Sequence, residues 1–374
     1  MLLTDPVPVE QLRRALVIKL RHHGDVLLVA PVLHALKARV PQCAIDALVY
    51  AETAPMLAGH PALAELHTID RAWKRLDPLR RLAAEWRLLA TLRAARYDLV
   101  LHLTDHPRGA WFARLSGARW AVGPVRRHRG WLWRSSFTHL QGEPLNARRH
   151  TVERNLDSLR RIGLYPQPHE RVLAIVPGDA AEARADDLLG AAGLERGRFI
   201  AIHPVSRWMF KSWPSEKVAA IAGRLQGAGW PLVFTAGPSP DERTFVARVV
   251  AALPGPVLDL SGQLSFKELA AVIGRARLFF GVDSAPMHIA AAQQVPTVAL
   301  FGPSGELEWG PWGVPHRIVA SDAHPCRPCG IDGCGGGKIS DCLVQLPVGQ
   351  AWGAVTELLA ETDPTRPPVP LVRA

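Results

Sequence analysis

The sequence predicts an α/β protein made of two doubly wound parallel sheets, one in each half of the chain, that face a central cleft. Short runs of Val, Leu and Ile alternate with longer segments of helical apolar spacing, and the alternation restarts near Arg198. The 374 residues, 48% of them hydrophobic, suffice for two hydrophobic cores. Because such sheets bind ligands at the carboxyl ends of their strands, we expect the functional residues in the loops there.

In the first half, each predicted strand is a short and mostly apolar run, as expected where helices cover both faces of a sheet. The helices between them carry apolar residues three and four positions apart. The apolar run Arg171–Val176 is a further strand candidate that would complete this half. The expected strands are Ala15–Leu20, Ile45–Tyr50, Leu66–Ile69 and Asp98–Leu103, and the expected helices are Val26–Arg39, a helix near Thr53–Gly59, and Pro78–Ala95.

The second half repeats the pattern. Its expected strands are Phe199–Ile202, Pro231–Thr235, Val257–Leu260, Arg277–Val282 and Thr297–Phe301, and its expected helices are Pro214–Gly227, Asp241–Ala252, Ser265–Gly274, Pro286–Gln293 and Gly349–Glu361. We therefore expect an N-terminal domain over residues 1–170 and a C-terminal domain over residues 171–348, with the linker within 165–197. Residues 349–374 are expected to form a helix and a Pro-rich tail.

The charge of the chain indicates an anionic partner. Lys and Arg total 44 against 34 Asp and Glu, which gives a net charge of +10. Nucleic acid, anionic lipid and a phosphorylated substrate all fit such a charge. The N-terminus lacks the basic start and apolar core of a signal peptide, and no apolar run is long enough to span a bilayer. We therefore expect a cytoplasmic protein with reduced thiols.

Several common nucleotide-binding signatures are absent. No G-x-G-x-x-G follows a predicted strand, and no G-x-x-x-x-G-K-[ST] is present. The chain also contains no Asp-x-Asp, which argues against a transferase that holds a nucleotide diphosphate through a divalent cation. Any diphosphate site must then use side chains and backbone N–H groups.

The first candidate site is the segment Arg21–Asp25, which follows the first predicted strand and opens the first predicted helix. Asp25 at this place has two interpretations. It can cap the helix by accepting a backbone N–H, or it can act as a general base at the strand end. The two roles conflict in part, because helix N–H groups lower the pKa of a carboxylate and weaken it as a base.

The second candidate site is the loop His203–Pro214, after the first strand of the second half. Ser206, Arg207 and Lys211 place a hydroxyl and two cations ahead of a helix, which suits a diphosphate. The alternative is a solvated basic loop with tryptophans in the core.

The third candidate site is the segment Gly281–His288. Pro286 favours a helix start, so the N–H groups of Ser284 and Ala285 would form an anion site at the positive helix end. Asp283 can bind sugar hydroxyls, and His288 lies one turn into the helix. A buried histidine packed between helix and sheet is the alternative for His288.

Two further segments carry chemistry-bearing residues. Cys326, Cys329, Cys334 and Cys342 lie close together in sequence, which is compatible with structural zinc, buried thiols or a labile disulfide. The segment Arg119–Phe137 interleaves arginine with tryptophan. It can contact nucleic-acid bases, a lipid interface or only solvent. Because no nucleic-acid fold signature is present, we favour an anionic glycolipid, with Arg126, Arg127 and Arg129 as its contacts.

Four segments of the chain resemble the lipopolysaccharide heptosyltransferases of glycosyltransferase family 9. They are Lys19–Pro31, His203–Pro214, Gly281–Ala292 and Ala299–Gly302, and they occur in the family's order. The segments Lys19–Leu28 and Pro328–Leu343 most resemble the branch called heptosyltransferase III.

The resemblance implies a GT-B fold and an inverting, metal-independent transfer of heptose from ADP-heptose to the inner core of lipopolysaccharide. It implies no cofactor, no nucleic-acid partner, and action at the cytosolic face of the inner membrane, with the acceptor in the N-terminal domain and the donor in the C-terminal domain. The family's base falls on Asp25 and its phosphate-binding lysine on Lys211. The donor segment falls on Asp283, Ser284 and His288, with Ala285 where many members have Gly. Gly237 with Asp241 or Glu242 are the candidates for adenosine contacts.

Two alternatives remain at this stage. A related transferase would use another core acceptor, as heptosyltransferase II does, or another nucleotide sugar. A carbohydrate-binding protein would keep the fold without turnover.

Overall fold

The computed structural model describes residues 5–126, 128–142 and 148–363. The chain divides into two compact units, Met1–Val176 and Pro177–Ala374. The division lies within the segment 165–197 where we expected the linker, and the last helix, Val348–Glu361, belongs to the second unit. The Pro-rich tail and Arg127 lie outside the described residues.

The first unit contains a six-stranded parallel sheet with the strand order β3-β2-β1-β4-β5-β6. Its central strands are buried along nearly their whole length, which explains their mostly apolar sequence. The strands are β1 Arg14–Lys19, β2 Ala44–Tyr50, β3 Glu65–Ile69, β4 Leu99–His102, β5 Trp120–Pro124 and β6 His139–Gln141.

Within residues 5–126, 128–142 and 148–176, six α-helices accompany this sheet: α1 His23–Leu27, α2 Ala30–Arg39, α3 Pro78–Ala94, α4 Pro107–Leu115, α5 Trp131–Arg134 and α6 Thr151–Arg160. The single helix predicted for Val26–Arg39 is wrong, because the chain forms α1 and α2 with a break between them. Pro31 lies in the first turn of α2, and it has no N–H to continue the hydrogen bonds of α1. The helix expected near Thr53–Gly59 is a 3₁₀ helix, Ala51–Met56, that contains Pro55.

The second unit repeats the architecture with the order β12-β11-β10-β7-β8-β9, again all parallel. Its core joins the strands to the flanking helices through side chains such as Trp213, Phe234, Phe280 and Leu358. The strands are β7 Ile200–His203, β8 Leu232–Phe234, β9 Leu258–Asp259, β10 Leu278–Val282, β11 Thr297–Phe301 and β12 His316–Ala320.

The helices of the second unit are α7 Asp179–Ala191, α8 Ser215–Gly227, α9 Pro240–Ala251, α10 Phe266–Ile273, α11 Ala285–Ala292, α12 Glu306–Trp309, α13 Asp341–Val344 and α14 Val348–Glu361. Helix α7 lies within the segment that we expected to be a linker. The candidate strand Arg171–Val176 is wrong: Leu173 and Ile175 are buried, but the segment joins neither sheet. A short apolar run indicates that a segment is buried, but it does not show that the segment pairs with a strand.

The strand order reverses direction once in each sheet, between β1 and β4 and between β7 and β10. In open α/β sheets the loops at this reversal splay apart and form the ligand-binding crevice at the carboxyl ends of the strands. Among the described residues, no helix is both long and apolar enough to cross a bilayer.

Candidate active site

Asp25 lies in the first turn of α1, directly after β1, at the reversal point of the first sheet. His22 occupies the N-cap position, and no side chain there accepts a hydrogen bond from the helix. The Asp25 side chain is half-buried, and it has no hydrogen bond or ion pair within the described part of the chain. The helix-capping interpretation of Asp25 therefore does not hold in this structure, and the carboxylate is available to a ligand.

A buried hydrogen-bond network fixes the helix that carries Asp25. Lys19, the last residue of β1, donates from Nζ to Leu103 O at 3.0 Å and to Asn155 Oδ1 at 3.1 Å. Asn155 lies on α6 and donates from Nδ2 to Leu28 O, the carbonyl at the end of α1, at 2.9 Å. The ends of β1 and β4, helix α6 and the end of α1 are thereby joined. Neither Lys19 nor Asn155 was predicted, although Lys19 is the one charged residue of the predicted strand Ala15–Leu20.

The surroundings of Asp25 are rich in positive charge. Burial lowers the pKa of Lys19 to about 8, while the Asp25 carboxylate favours its charged form and Arg21 opposes it. Asp105 follows β4, and Arg21 Nη2 lies 3.5 Å from its Oδ1. Burial by itself raises the pKa of Asp105. The positive charges of Arg21 and neighbouring arginines lower it, and the net shift of this pKa is downward. Such an excess of cations around strand ends suits an anionic ligand.

Arg126 and Arg129, predicted as glycolipid contacts, lie beside this charge cluster. Both lower the pKa of Asp105, against the larger opposing effect of burial. Arg129 Nη2 donates to Asp105 O at 3.2 Å, and its guanidinium lies 5.5 Å from the centre of the buried Trp133 ring. Arg126 Nη1 donates to Val125 O at 3.3 Å. The third predicted contact, Arg127, lies outside the described residues.

In the second unit, the structure joins the second and third candidate sites directly. Lys211 Nζ forms an ion pair with Asp283 Oδ2 at 2.6 Å. Lys211 belongs to the loop after β7, and Asp283 follows β10, the strand next to β7. The ammonium also lies 5.1 Å from the centre of the Trp208 ring, a cation–π distance. A fixed cation therefore lies at the reversal point of the second sheet.

The other loop residues have more varied surroundings. His203 is buried, and its Nδ1 lies 2.9 Å from Thr235 Oγ1. Burial lowers the pKa of His203 to about 3, so the imidazole is neutral near pH 7. Ser206 Oγ accepts the N–H of Trp208 at 3.3 Å, whereas Arg207 is exposed. His203 and Ser206 thus shape the loop, and Arg207 adds a solvent-facing cation.

Helix α11 begins at Ala285, one residue before the predicted start at Pro286. Ser284 is the N-cap residue, but its Oγ donates to Val282 O at 3.1 Å and does not cap the helix. The N–H groups of Ser284 and Ala285 precede the first helical hydrogen bond, so they are oriented for an anion. His288 is buried one turn further on.

The residues predicted for adenosine contacts lie after β8. Gly237 N–H donates to Glu242 Oε2 at 2.8 Å, and a Cβ added at Gly237 would lie 2.7 Å from that oxygen. Glu242 is buried and Asp241 is exposed in the first turn of α9. Of the two acids, Glu242 is therefore the one that orders the loop after β8.

The four clustered cysteines are all free thiols, with Cys342 buried and the other three exposed. Burial raises the pKa of the Cys342 thiol, and the three other thiols raise it further. In the described ranges, no three of these sulfur atoms lie within 4.8 Å of one another. The zinc interpretation of this cluster remains a prediction.

Asp46, Glu65 and His67 are the only group of three potential metal ligands with that spacing in the described ranges. Arg14 Nη2 lies 2.8 Å from Asp46 and 3.2 Å from Glu65, and the Tyr97 hydroxyl donates to Asp46 at 2.6 Å. The guanidinium already neutralises the carboxylates, so this is an ion-pair network. It lies toward the amino ends of the strands, away from Asp25.

Two Rossmann-like units of this topology define a GT-B protein, the fold class of many nucleotide-sugar glycosyltransferases. The family described as glycosyltransferase family 9 (heptosyltransferase) matches residues 85–339. The chain is 36% identical to lipopolysaccharide heptosyltransferase 3 of Escherichia coli over 295 aligned residues. The alignment covers 78% of this chain and 84% of that protein. The chain belongs to glycosyltransferase family 9, and it is a glycosyltransferase of the heptosyltransferase type.

Solved structures show the same fold. A family 9 glycosyl transferase from Veillonella parvula superposes with a TM-score of 0.81 at 22% identity, covering 96% of this chain and 100% of that one. An Escherichia coli heptosyltransferase, WaaC with ADP-2-deoxy-2-fluoro heptose, gives a TM-score of 0.70 at 21% identity, covering 92% of this chain and 99% of that one. The predicted α/β, GT-B architecture is confirmed.

Proposed function

We propose that this chain transfers heptose from ADP-heptose to a heptose of the lipopolysaccharide inner core, as an inverting, metal-independent transferase of the heptosyltransferase III type. The observation that carries the proposal is the unpaired Asp25 carboxylate at the reversal point of the first sheet, in a chain 36% identical to a lipopolysaccharide heptosyltransferase 3. An acidic side chain without a structural partner, held by a buried network, has the properties of a general base.

The donor half of the proposal places the diphosphate of ADP-heptose after β7 and β10. Lys211 has three N–H donors and uses one on Asp283. It can therefore bind a phosphate oxygen while Asp283 keeps it in position. The exposed Arg207 and the N–H groups at the start of α11 add further positive potential. These groups stabilise the charge that develops on departing ADP, the role that a metal ion has in other transferases.

The chemistry is a single displacement. The acceptor hydroxyl attacks the anomeric carbon of the heptose, and Asp25 takes the proton of that hydroxyl. The new C–O bond forms as the bond to the β-phosphate oxygen breaks, and ADP leaves with the electron pair. Attack opposite the leaving group inverts the configuration at the anomeric carbon. We assign no step to Lys19, which holds α1 and with it the Asp25 carboxylate.

The acceptor half of the proposal assigns the lipopolysaccharide core to the first unit. Arg21, Arg126 and Arg129 surround the strand ends near Asp25, and core oligosaccharides are anionic. Because this acceptor is linked to lipid, we propose that the protein works at the cytosolic face of the inner membrane as a peripheral protein. The net charge of +10 supports that location.

The decisive experiment is incubation of the protein with ADP-heptose and a series of defined, truncated core acceptors, followed by mass spectrometry of the products. We expect a mass gain of one heptose with an acceptor that already carries the inner-core heptoses, and no gain with ADP-glucose as donor. Transfer only to the shorter acceptor of a heptosyltransferase II would show that the chain acts on that acceptor and is not of the heptosyltransferase III type. Donor binding without turnover on any acceptor would support a carbohydrate-binding protein instead.

A further inference from the structure

Helix α3 exposes a stripe of large apolar side chains. Leu79, Leu82 and Trp86 are 79%, 53% and 57% exposed. Their spacing of three and four residues places them on one face of the helix. Leu89 and Leu92 continue this spacing toward the end of the helix and are buried, so the core covers the last turns of this face and not the first. The core therefore does not explain why the first three residues are apolar.

The neighbouring helices continue this feature. Trp111 on α4 is exposed, as are Trp131 and Leu132 on α5. Arg93 on α3 donates to Leu115 O at the end of α4 at 3.2 Å. Arg114 on α4 lies 5.7 Å from the Trp131 ring centre and donates to Ser135 Oγ at 2.6 Å. We name the exposed large apolar residues of these helices the α3–α5 face: Leu79, Leu82, Trp86, Trp111, Leu115, Trp131 and Leu132.

The same three helices are strongly cationic. Their single acidic residue is Glu85, which is paired with Arg108 of α4. Their arginines are Arg80, Arg81, Arg87, Arg93, Arg108, Arg114 and Arg134. Tryptophan and leucine beside arginine match a lipid interface, where the apolar side chain enters the acyl boundary and the guanidinium meets phosphates.

We propose that the α3–α5 face docks the first unit on the surface of an anionic phospholipid bilayer. The inference rests on the proposed function in one respect, since a lipid-linked acceptor requires the enzyme to work at a membrane. A second copy of the chain is a poorer occupant, because pairing two such faces would bring their arginines together. The segment Arg119–Phe137 contributes Trp131 and Leu132 to this face, while its Trp133 is buried in the core.

The test is co-sedimentation with vesicles of phosphatidylglycerol and phosphatidylethanolamine, compared with vesicles of phosphatidylcholine alone. We expect the native chain to bind the anionic vesicles. The triple variant Leu79→Ser, Leu82→Ser, Trp86→Ser should bind them at least about tenfold more weakly, because it loses three buried apolar side chains. Arg80→Ser with Arg81→Ser and Arg87→Ser should weaken binding at low salt and flatten its salt dependence.

The matched control replaces three exposed apolar residues of the other unit by serine: Leu307, Ile331 and Ile339, which are 57%, 51% and 61% exposed. This control should bind vesicles like the native chain. Because all replaced side chains are exposed, circular dichroism should show native folding in each variant. Transfer to a deacylated, water-soluble acceptor should be unchanged in the α3 variant, which separates docking from catalysis.

Three results would overturn the inference. The first is equal vesicle binding by the native chain and the Leu79, Leu82, Trp86 variant. The second is a native chain that binds neither vesicle type. The third is a native dimer in sedimentation velocity that the triple variant abolishes, which would assign the face to a second copy. None of these bears on the heptosyl transfer reaction, which the deacylated acceptor tests separately.

Discussion

Lys211 Nζ lies 2.6 Å from Asp283 Oδ2, and this ion pair joins the loops that follow two adjacent strands, β7 and β10. Both side chains are largely buried, so the pair is preformed before any ligand binds. A diphosphate that arrives there meets a cation already held in place, with its geometry set by the sheet.

We predict that Lys211→Met raises KM for ADP-heptose and lowers kcat/KM by about 10²–10³, since it removes charge from the departing diphosphate. Calorimetric titration with ADP should show the loss directly. Lys338→Met is the matched control, because Lys338 also pairs with a carboxylate at 2.6 Å, that of Asp332, on an exposed loop. Equal kinetics for both variants would remove Lys211 from the donor site.

Asp25→Asn should lower kcat by about 10²–10⁴ while leaving ADP affinity unchanged, because the amide cannot accept the proton of the acceptor hydroxyl. Its melting temperature should equal that of the native protein, since the Asp25 carboxylate has no hydrogen bond or ion pair in the described part of the chain. The control is Asp179→Asn, which also removes an acid from the first turn of a helix, α7. A near-native kcat for Asp25→Asn would contradict the assignment of the base.

Lys19 predicts a specific dependence of stability on pH. Its pKa falls from 10.5 to about 8 on folding, which costs about 3 kcal/mol while the group is charged. Between pH 8 and pH 10.5 the unfolded chain binds more protons at Lys19 than the folded chain. The contribution of Lys19 to the free energy of unfolding therefore rises with pH in this window and is least favourable below it.

Urea unfolding of the native protein and of Lys19→Met at pH 7 and pH 9.5 measures this contribution. The free energy of unfolding of the native protein, relative to that of Lys19→Met, should be larger at pH 9.5 than at pH 7. Lys19→Met should also lower kcat, because Asn155 loses the hydrogen bond from Lys19 and the end of α1 loses its connection to the end of β4. An equal pH dependence of the free energy of unfolding in both proteins, together with a native kcat in Lys19→Met, would contradict both roles assigned to Lys19.

Heptosyl transfer should persist in excess EDTA, since Lys211, Arg207 and the start of α11 provide the positive charge at the diphosphate. If EDTA abolishes activity, the effect of added Mg²⁺ and the circular dichroism spectrum identify the cause. Loss of activity that Mg²⁺ restores without refolding would contradict the metal-independent mechanism. Loss accompanied by unfolding in circular dichroism would point to zinc at Cys326, Cys329, Cys334 and Cys342, and Cys342→Ser should then destabilise the protein as well.

Many of the strands and helices could be predicted from the sequence, because buried parallel strands form short apolar runs that are easy to identify. Strand Thr297–Phe301 and helix Pro78–Ala94 agree with prediction to within one residue. Strands β5, β6 and β12 and helices α4, α5, α6, α7, α12 and α13 were missed. The first two lie in a segment dominated by arginine and tryptophan, and α7 is rich in Ala and Asp with few large apolar residues. Where local residues are polar or small, the hydrophobic period is too weak to identify an element.

The sequence by itself determined the repeated β-α pattern, the placement of Asp25, Lys211 and Asp283 after strands, and the basic character of the protein. Only the tertiary structure decided which of these residues meet. The Lys211–Asp283 pair and the Lys19–Asn155–Leu28 network join positions far apart in the chain. The strand order creates them, because it brings β10 beside β7 and β4 beside β1. Strand pairing is a long-range property, and no local pattern of residues specifies it.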